Sequence, residues 1–264
     1  MMSDLELTKH ELVNKIKFIS EKWYPGILPG EDGNAGRTLE ELLGIPENNL
    51  FNIPDYKGQF QIKSQRDVSK SGLITIHRCE PKPDESIPRL FSAMNWYNMK
   101  EKRKKFYLTI SGKIYTIRGF KIVFDNEKFY LEFSPEKTKK EKQHRAKDTP
   151  YNTYGDWLDA INMRKPHYSE ILPLWWNKKD YLDDLKKTYD NCLFVLCKVK
   201  KIDKKENFKF NESYILQGFE TEKFEDFFEQ GILKIDINSD HPDNKIFHNR
   251  GVGLRIARKY LFDL

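Results

Sequence analysis

The stretch PDYKGQFQIK, residues 54–63, offers an aspartate, a short gap and a strand-like run that ends in lysine. In Gln59-Phe60-Gln61-Ile62-Lys63 polar and apolar side chains alternate, so a strand sends Phe60 and Ile62 to one face and Gln59, Gln61 and Lys63 to the other. Two residues of strand rise set Gln61 and Lys63 roughly 6–7 Å apart on that face. Asp55 can fold back beside them from the preceding turn. An aspartate, a second oxygen ligand and a lysine so arranged can hold Mg²⁺ and activate water against a phosphodiester. The same spacing also suits a half-buried strand whose outer face is merely solvated, so the surrounding elements must decide its meaning.

Those elements are legible in outline. Residues 4–22 read as an amphipathic helix with Leu5, Leu12, Ile16 and Ile19 at helical spacing. A Gly/Pro-rich loop leads to a short helix, RTLEELL, stopped by Gly44 and Pro46. Leu39, Leu42 and Leu43 form its apolar stripe; Glu40 borders that stripe and Glu41 points away, so Glu40 is the carboxylate expected to face inward. After PDYKGQFQIK and a polar turn comes a second strand, LITIHR, which carries His77. Residues 106–133 alternate in short runs broken by Gly112 and Asp125-Asn126, which predicts antiparallel hairpins. Residues 135–150 are charged and nearly free of apolar side chains, an exposed segment that either contacts a phosphate backbone or is a solvated linker. A helix over 178–190, the strands CLFVLCKVKK and FKFNESYILQGF, a helix EKFEDFFEQ and a strand ILKIDIN complete the pattern. Strands framed by helices predict a mixed α/β fold, with a mixed sheet flanked by helices. No repeat, low-complexity tract or domain boundary stands out, so a single domain over 1–264 is expected.

Composition narrows the class of partner. The 264 residues include 46 basic and 40 acidic side chains, a formal net charge of +6 that suits a polyanion. Cys79, Cys192 and Cys197 lack metal-ligand spacing, and two of them sit in an apolar run where cysteine acts as a small hydrophobe. That points to a reducing compartment. With no signal-peptide pattern and no apolar run near the ~20 residues of a membrane span, a cytoplasmic protein without membrane contact is expected.

The segment HPDNKIFHNRGVGLRIARKY reads as a loop bearing His241, Asn244, Lys245, His248, Asn249 and Arg250, then Gly251 and Gly253, then Arg255 and Arg258. Arginine and asparagine pair bidentately with guanine and adenine edges in the major groove. An ordinary polar loop with a basic tail would read the same way.

Taken together, these pieces resemble the MvaI/BcnI restriction endonucleases, relatives of the mismatch-repair nicking enzyme MutH within the PD-(D/E)xK nuclease superfamily. The match lies in GNAGRTLEELLGIPENNLFNIPDYKGQFQIKSQR, residues 33–66, and in ILKIDI…FHNRGVGLRI, with weaker similarity between. The resemblance implies a restriction-endonuclease-like core around 33–133, DNA-recognition elements around 135–180 and 238–258, and Mg²⁺-dependent cleavage of double-stranded DNA. It further implies a monomer that nicks the two strands in turn and a cognate DNA methyltransferase in the same system. Position by position, Asp55 becomes the metal ligand, Lys63 the residue that orients or deprotonates water, and Glu40 the supporting helix carboxylate. His248, Asn249, Arg250 and Arg255 become base readers, and His77 a lesser candidate beside them. One departure is plain: where the family has glutamate, this chain has Gln61, which offers Mg²⁺ an amide oxygen but one negative charge less. An active natural variant and a Glu→Gln substitution both fit that residue. Two other functions stay open, a MutH-like nickase and a DNA-binding protein whose cleavage is lost through Gln61.

Overall fold

The structure, a computed structural model, describes residues 3–28, 33–46, 54–67, 72–144, 149–164, 174–218, 220–243 and 245–261. Its chain forms two compact units, one from Met1–Ile74 and Asp184–Phe219 with Leu264, the other from Thr75–Asp183 and Glu220–Asp263.

In the first unit, helix α1 (Asp4–Ser20) starts at Ser3, whose hydroxyl accepts the Glu6 N–H; Asp4 and Glu6 in its first turn and Lys17 in its last suit the helix dipole. Helix α2 (Asn34–Leu43) ends at Gly44, whose left-handed φ of 76° a side chain would resist. Strands β1 (Tyr24–Pro25) and β2 (Gln61–Arg66) join two longer ones from later in the chain, β9 (Cys192–Ile202) and β10 (Lys205–Leu216), in the order β1-β10-β9-β2. β9 and β10 are antiparallel, whereas β2 runs parallel to β9 with Gln61 opposite Cys192 and Lys63 opposite Phe194. Leu12, Ile16 and Ile19 of α1, Leu39 and Leu43 of α2, and Phe60, Ile62, Leu193, Val195, Phe208 and Phe210 share one core. α2 packs on β2. The predicted alternation therefore holds: Phe60 and Ile62 are buried while Gln61 and Lys63 are half-exposed on the other face.

The second unit has two sheets. One has the order β3-β12-β11-β5-β4, with β3 (Leu73–Arg78), β4 (Trp96–Asn98), β5 (Arg103–Ile110), β11 (Leu233–Pro242) and β12 (His248–Ala257). The other joins β6 (Arg118–Phe124), β7 (Lys128–Thr138) and β8 (Leu174–Asn177). Helix α3 (Ser86–Met94) follows β3; α4 (Tyr154–Met163), α5 (Lys178–Tyr189) and α6 (Phe224–Glu229) complete the elements named here. Phe124, Phe129, Trp176, Phe224 and Phe228 pack ring against ring beneath the three-stranded sheet.

Three expectations change. The run FYLTI does not form a hairpin with the strand that follows it: β5 pairs with β4, which precedes it, and with β11, and within residues 106–133 the hairpin is the one between β6 and β7. Residues 135–138 extend β7 instead of opening a loop, and His144 is buried against Trp96 and Tyr154; residues 145–148 lie outside the described residues. Residues 248–257 are a strand, not a loop. Val252, Leu254 and Ile256 alternate into the core, and the intervening glycines, which suggested a loop, let β12 lie close to its neighbours: a Cβ on Gly253 would come 3.2 Å from Thr75 Cγ2.

Candidate functional site

A tight turn puts Asp55 where a site needs it. Lys57 and Gly58 take positive φ values of 51° and 68°, reversing the chain so that Tyr56 and Phe60 exchange backbone hydrogen bonds at 2.9 and 3.2 Å. Tyr56 is pinned to α1 through its hydroxyl, which donates to Glu11 at 2.8 Å, and Lys57 pairs with the same carboxylate. Burial and that hydrogen bond hold the Tyr56 phenol above its usual range. Asp55, just before the turn, is thereby folded back onto the start of β2. Its Oδ2 accepts the Ile62 N–H at 2.9 Å and a short hydrogen bond from the Gln61 amide.

Lys63 lies two residues farther along β2 on the Gln61 side, half-buried, with no side-chain hydrogen bond or ion pair among the described residues. Asp55 and Lys63 both act on the Cys192 thiol. Burial pushes that thiol up to about 12, Lys63 opposes the shift and Asp55 adds to it. One β9 side chain thus lies within the electrostatic reach of both groups. Glu40 is half-buried and Glu41 exposed; Arg37 of the same helix pairs with Glu40 at 3.3 Å.

The oxygens present fit a hard divalent cation sparingly. Asp55 and Gln61 supply one carboxylate and one amide side by side, and no group of three His, Cys, Asp or Glu side chains is arranged for a metal among the described residues. Mg²⁺ tolerates such a set because it retains waters and takes substrate phosphate oxygens alongside one or two protein ligands.

The remaining candidates belong to the second unit. At Asn238 the register between β11 and β12 shifts, so that Ile237 faces Val252 but Ser239 faces Asn249; two residues, Arg250 and Gly251, stand against Asn238 in a bulge with Gly251 at φ 88°. Arg250 turns towards β11, with Nε and Nη2 both 2.9 Å from Asp240 Oδ2. Arg255 pairs with Asp236 on β11. Asn249 donates to Glu80 Oε2 at 3.0 Å and accepts the Gly251 N–H at 3.0 Å, while His248 is exposed. His77 is buried in β3 with its ring edge-on to Tyr181, centroids 5.2 Å apart.

Asp55 and Gln61 are therefore in contact, with Lys63 on the same strand face; Glu40 stands on the helix that packs on that strand; and the predicted readers form a separate group on β12, apart from His77 on β3. Sequence reasoning passed over Asp236, Asp240 and Glu80, the carboxylates that hold those readers. Their signal was available in part: Asp236, Asn238 and Asp240 recur every second residue in ILKIDINSD and so share one strand face.

The model of the MvaI/BcnI restriction endonuclease family matches residues 13–264. No curated protein matches the chain. Among solved structures, "Restriction endonuclease MvaI-cognate DNA substrate complex" is similar with a TM-score of 0.66 at 20% identity, over 99% of this chain and 96% of that one. "Restriction endonuclease MvaI in the absence of DNA" aligns with a TM-score of 0.46 at 17% identity, over 100% and 96%.

Proposed function

Because this chain belongs to the MvaI/BcnI restriction endonuclease family, and so is a site-specific endonuclease of type II, we propose that it hydrolyses phosphodiester bonds in double-stranded DNA with Mg²⁺. The observation that carries the reading is the contact of Asp55 with both Gln61 and the Ile62 N–H, on the strand that holds Lys63. Asp55 and Gln61 would hold the cation through a carboxylate and an amide oxygen. When bound, it supplies electrostatic stabilisation of charge building on the scissile phosphate. Asp55 is kept in place by the Ile62 N–H, so its orientation does not depend on a flexible partner. The Lys63 amine, unpaired among the described residues, is placed to orient water or remove its proton. Glu40, on the helix packed against β2, supports the site from behind that strand.

The cognate DNA of the solved MvaI relative extends the proposal to the second unit. There Arg250, Arg255, His248 and Asn249 read base edges, surrounding lysines meet phosphates, and the chain works as one monomeric nuclease that nicks the strands in turn. It acts in the cytoplasm beside a methyltransferase that protects its site; the three cysteines are free, as a reducing compartment requires. No helix among the described residues is long and apolar enough to cross a membrane.

Digesting a supercoiled plasmid of known sequence in Mg²⁺ and sequencing the ends tests this directly. Open circles should appear first and linear DNA after them, with neither product in EDTA. Product that stops at open circles makes the protein a nickase. A second reading draws on Gln61, whose amide spends its hydrogen bond on Asp55 where the family carries a carboxylate. It makes the chain a sequence-specific binder, and gel retardation with no product in Mg²⁺ or Mn²⁺ would establish it.

A further inference from the structure

Asp240 is a buried carboxylate of the second unit held between two arginines. Its side chain is 6% exposed, yet two guanidinium groups converge on one of its oxygens: Arg250 through Nε and Nη2 at 2.9 Å, and Arg103 through Nη1 at 3.2 Å. Its other oxygen, Oδ1, is buried without a hydrogen-bond partner among the described residues. Taking a carboxylate out of water is costly, and an apolar pair of the same volume often stabilises as well. A reason for its retention lies in what it does to its neighbours. Arg250 is 45% exposed and lines a cleft of about 490 Å³ together with Arg103, Lys105, Asn98 and Asn238. Asp240 occupies one edge of the Arg250 fork, Nε–Nη2, and so leaves the Nη1–Nη2 end for a ligand in that cleft. A guanidinium end presented in a fixed plane matches two acceptors side by side, as on the O6/N7 edge of guanine. The bulge at Gly251 serves the same end, because it turns Arg250 towards Asp240. Arg255 is different: its side chain is 17% exposed and its carboxylate partner Asp236 lies on the strand alongside.

We infer that Asp240 is a positioning residue that aims the free end of Arg250 at a guanine edge, with Arg103 braced on the same oxygen. This rests on the proposed function, since it assigns the DNA reader and its orienting group within that reading. Asp240 touches no base itself.

The test footprints the wild-type protein on a plasmid fragment in Ca²⁺, then measures binding to a duplex carrying the footprinted sequence and to a scrambled duplex of equal length. Asp240→Asn should weaken the first by about 10- to 100-fold and the second by less than about twofold, with the salt slope on the footprinted duplex unchanged. Arg250→Lys keeps the charge and loses the fork, so it should give the same pattern; it carries the test alone if Asp240→Asn does not fold. The double variant should be no worse than either single one, as expected for residues acting as a unit. Equal losses on both duplexes would reassign Arg250 to a phosphate and overturn the inference. So would intact discrimination in Arg250→Lys, or in an Asp240→Asn protein that has merely become less stable. A wild-type protein with neither footprint nor cleavage would overturn the proposed function, and this inference with it; a wild-type protein that footprints while both variants discriminate normally leaves that function standing and removes only the role of Asp240.

Discussion

Replacing Gln61 with glutamate probes the cation seat from both sides. In the present chain the Gln61 amide donates to Asp55 Oδ2. Gln61→Glu deletes that donor, which costs about 1 kcal/mol net, and sets a second negative charge against the first. Two unit charges ~4 Å apart interact by ~4 kcal/mol at an effective dielectric of 20. Both side chains are only half-buried, so solvent and side-chain rotation remove most of that repulsion. A total of about 1–3 kcal/mol remains, which at about 2–4 °C per kcal/mol for a chain near this size lowers Tm by roughly 2–12 °C in EDTA. A bound divalent cation should reverse the loss, because the carboxylate pair now prefers it: at a hundred times Kd the return is about 2.7 kcal/mol. The assay is thermal melting in EDTA and across a Mg²⁺ titration, with plasmid cleavage followed at each concentration. Cleavage should be retained or raised, and half-maximal Mg²⁺ should fall. A variant that melts like the parent in EDTA and gains nothing from Mg²⁺ would refute the juxtaposition of these two side chains. Loss of an activity that the parent possesses would refute the role given to Gln61.

Other consequences arise from the same geometry. Lys63→Met should cut plasmid cleavage by about 10²- to 10⁴-fold, the usual range for removing a proton-transfer group, while gel-shift affinity in Ca²⁺ stays near the parent's. Asp55→Ala should abolish product altogether, and detectable linear DNA from it would remove Asp55 from the site. Gly251→Ala forces a side chain onto φ 88° and towards Arg78 and Glu80, so Tm should drop by an amount equivalent to about 1–2 kcal/mol and discrimination between duplexes should weaken. Burial pushes Cys192 and Cys197 up to about 12 from an ordinary 9.0, so thiol reagents at pH 8 should modify Cys79 and spare the other two until the protein unfolds. The same shift has a sign: the folded thiols keep their protons where the unfolded ones lose them, so their contribution is intact below about pH 9 and disappears as pH rises towards 12, measurable as a falling denaturation midpoint.

Much of this was legible in the chain because it is local. Polar–apolar alternation placed Phe60 and Ile62 in the core and kept Gln61 and Lys63 off it. Glycine stops marked the ends of α2 and α6, at Gly44 and Gly231. The apolar strip of α1 gave three of its four expected core residues, Leu12, Ile16 and Ile19. Strand β12 was misread because glycine and polar residues at its start resemble a loop, although Val252, Leu254 and Ile256 carry the strand period. Strand β5 departs from the expected hairpin with the strand after it: it turns back on β4 before it, and its other edge bonds to β11 more than a hundred residues away.

By itself the sequence determined residue chemistry and the face each residue shares with its near neighbours: an amide and a lysine on one face of a short strand with a carboxylate just before it, and a basic tail containing glycines. Only the tertiary structure decided which carboxylates hold the arginines, that β2 lies parallel to β9 with Cys192 beside Gln61, and that Arg103 reaches the same oxygen as Arg250. Side-chain period is fixed within a few residues by the geometry of the strand. Pairing between distant strands depends on which surfaces bury the most apolar area together, a property of the whole chain that no window of residues contains.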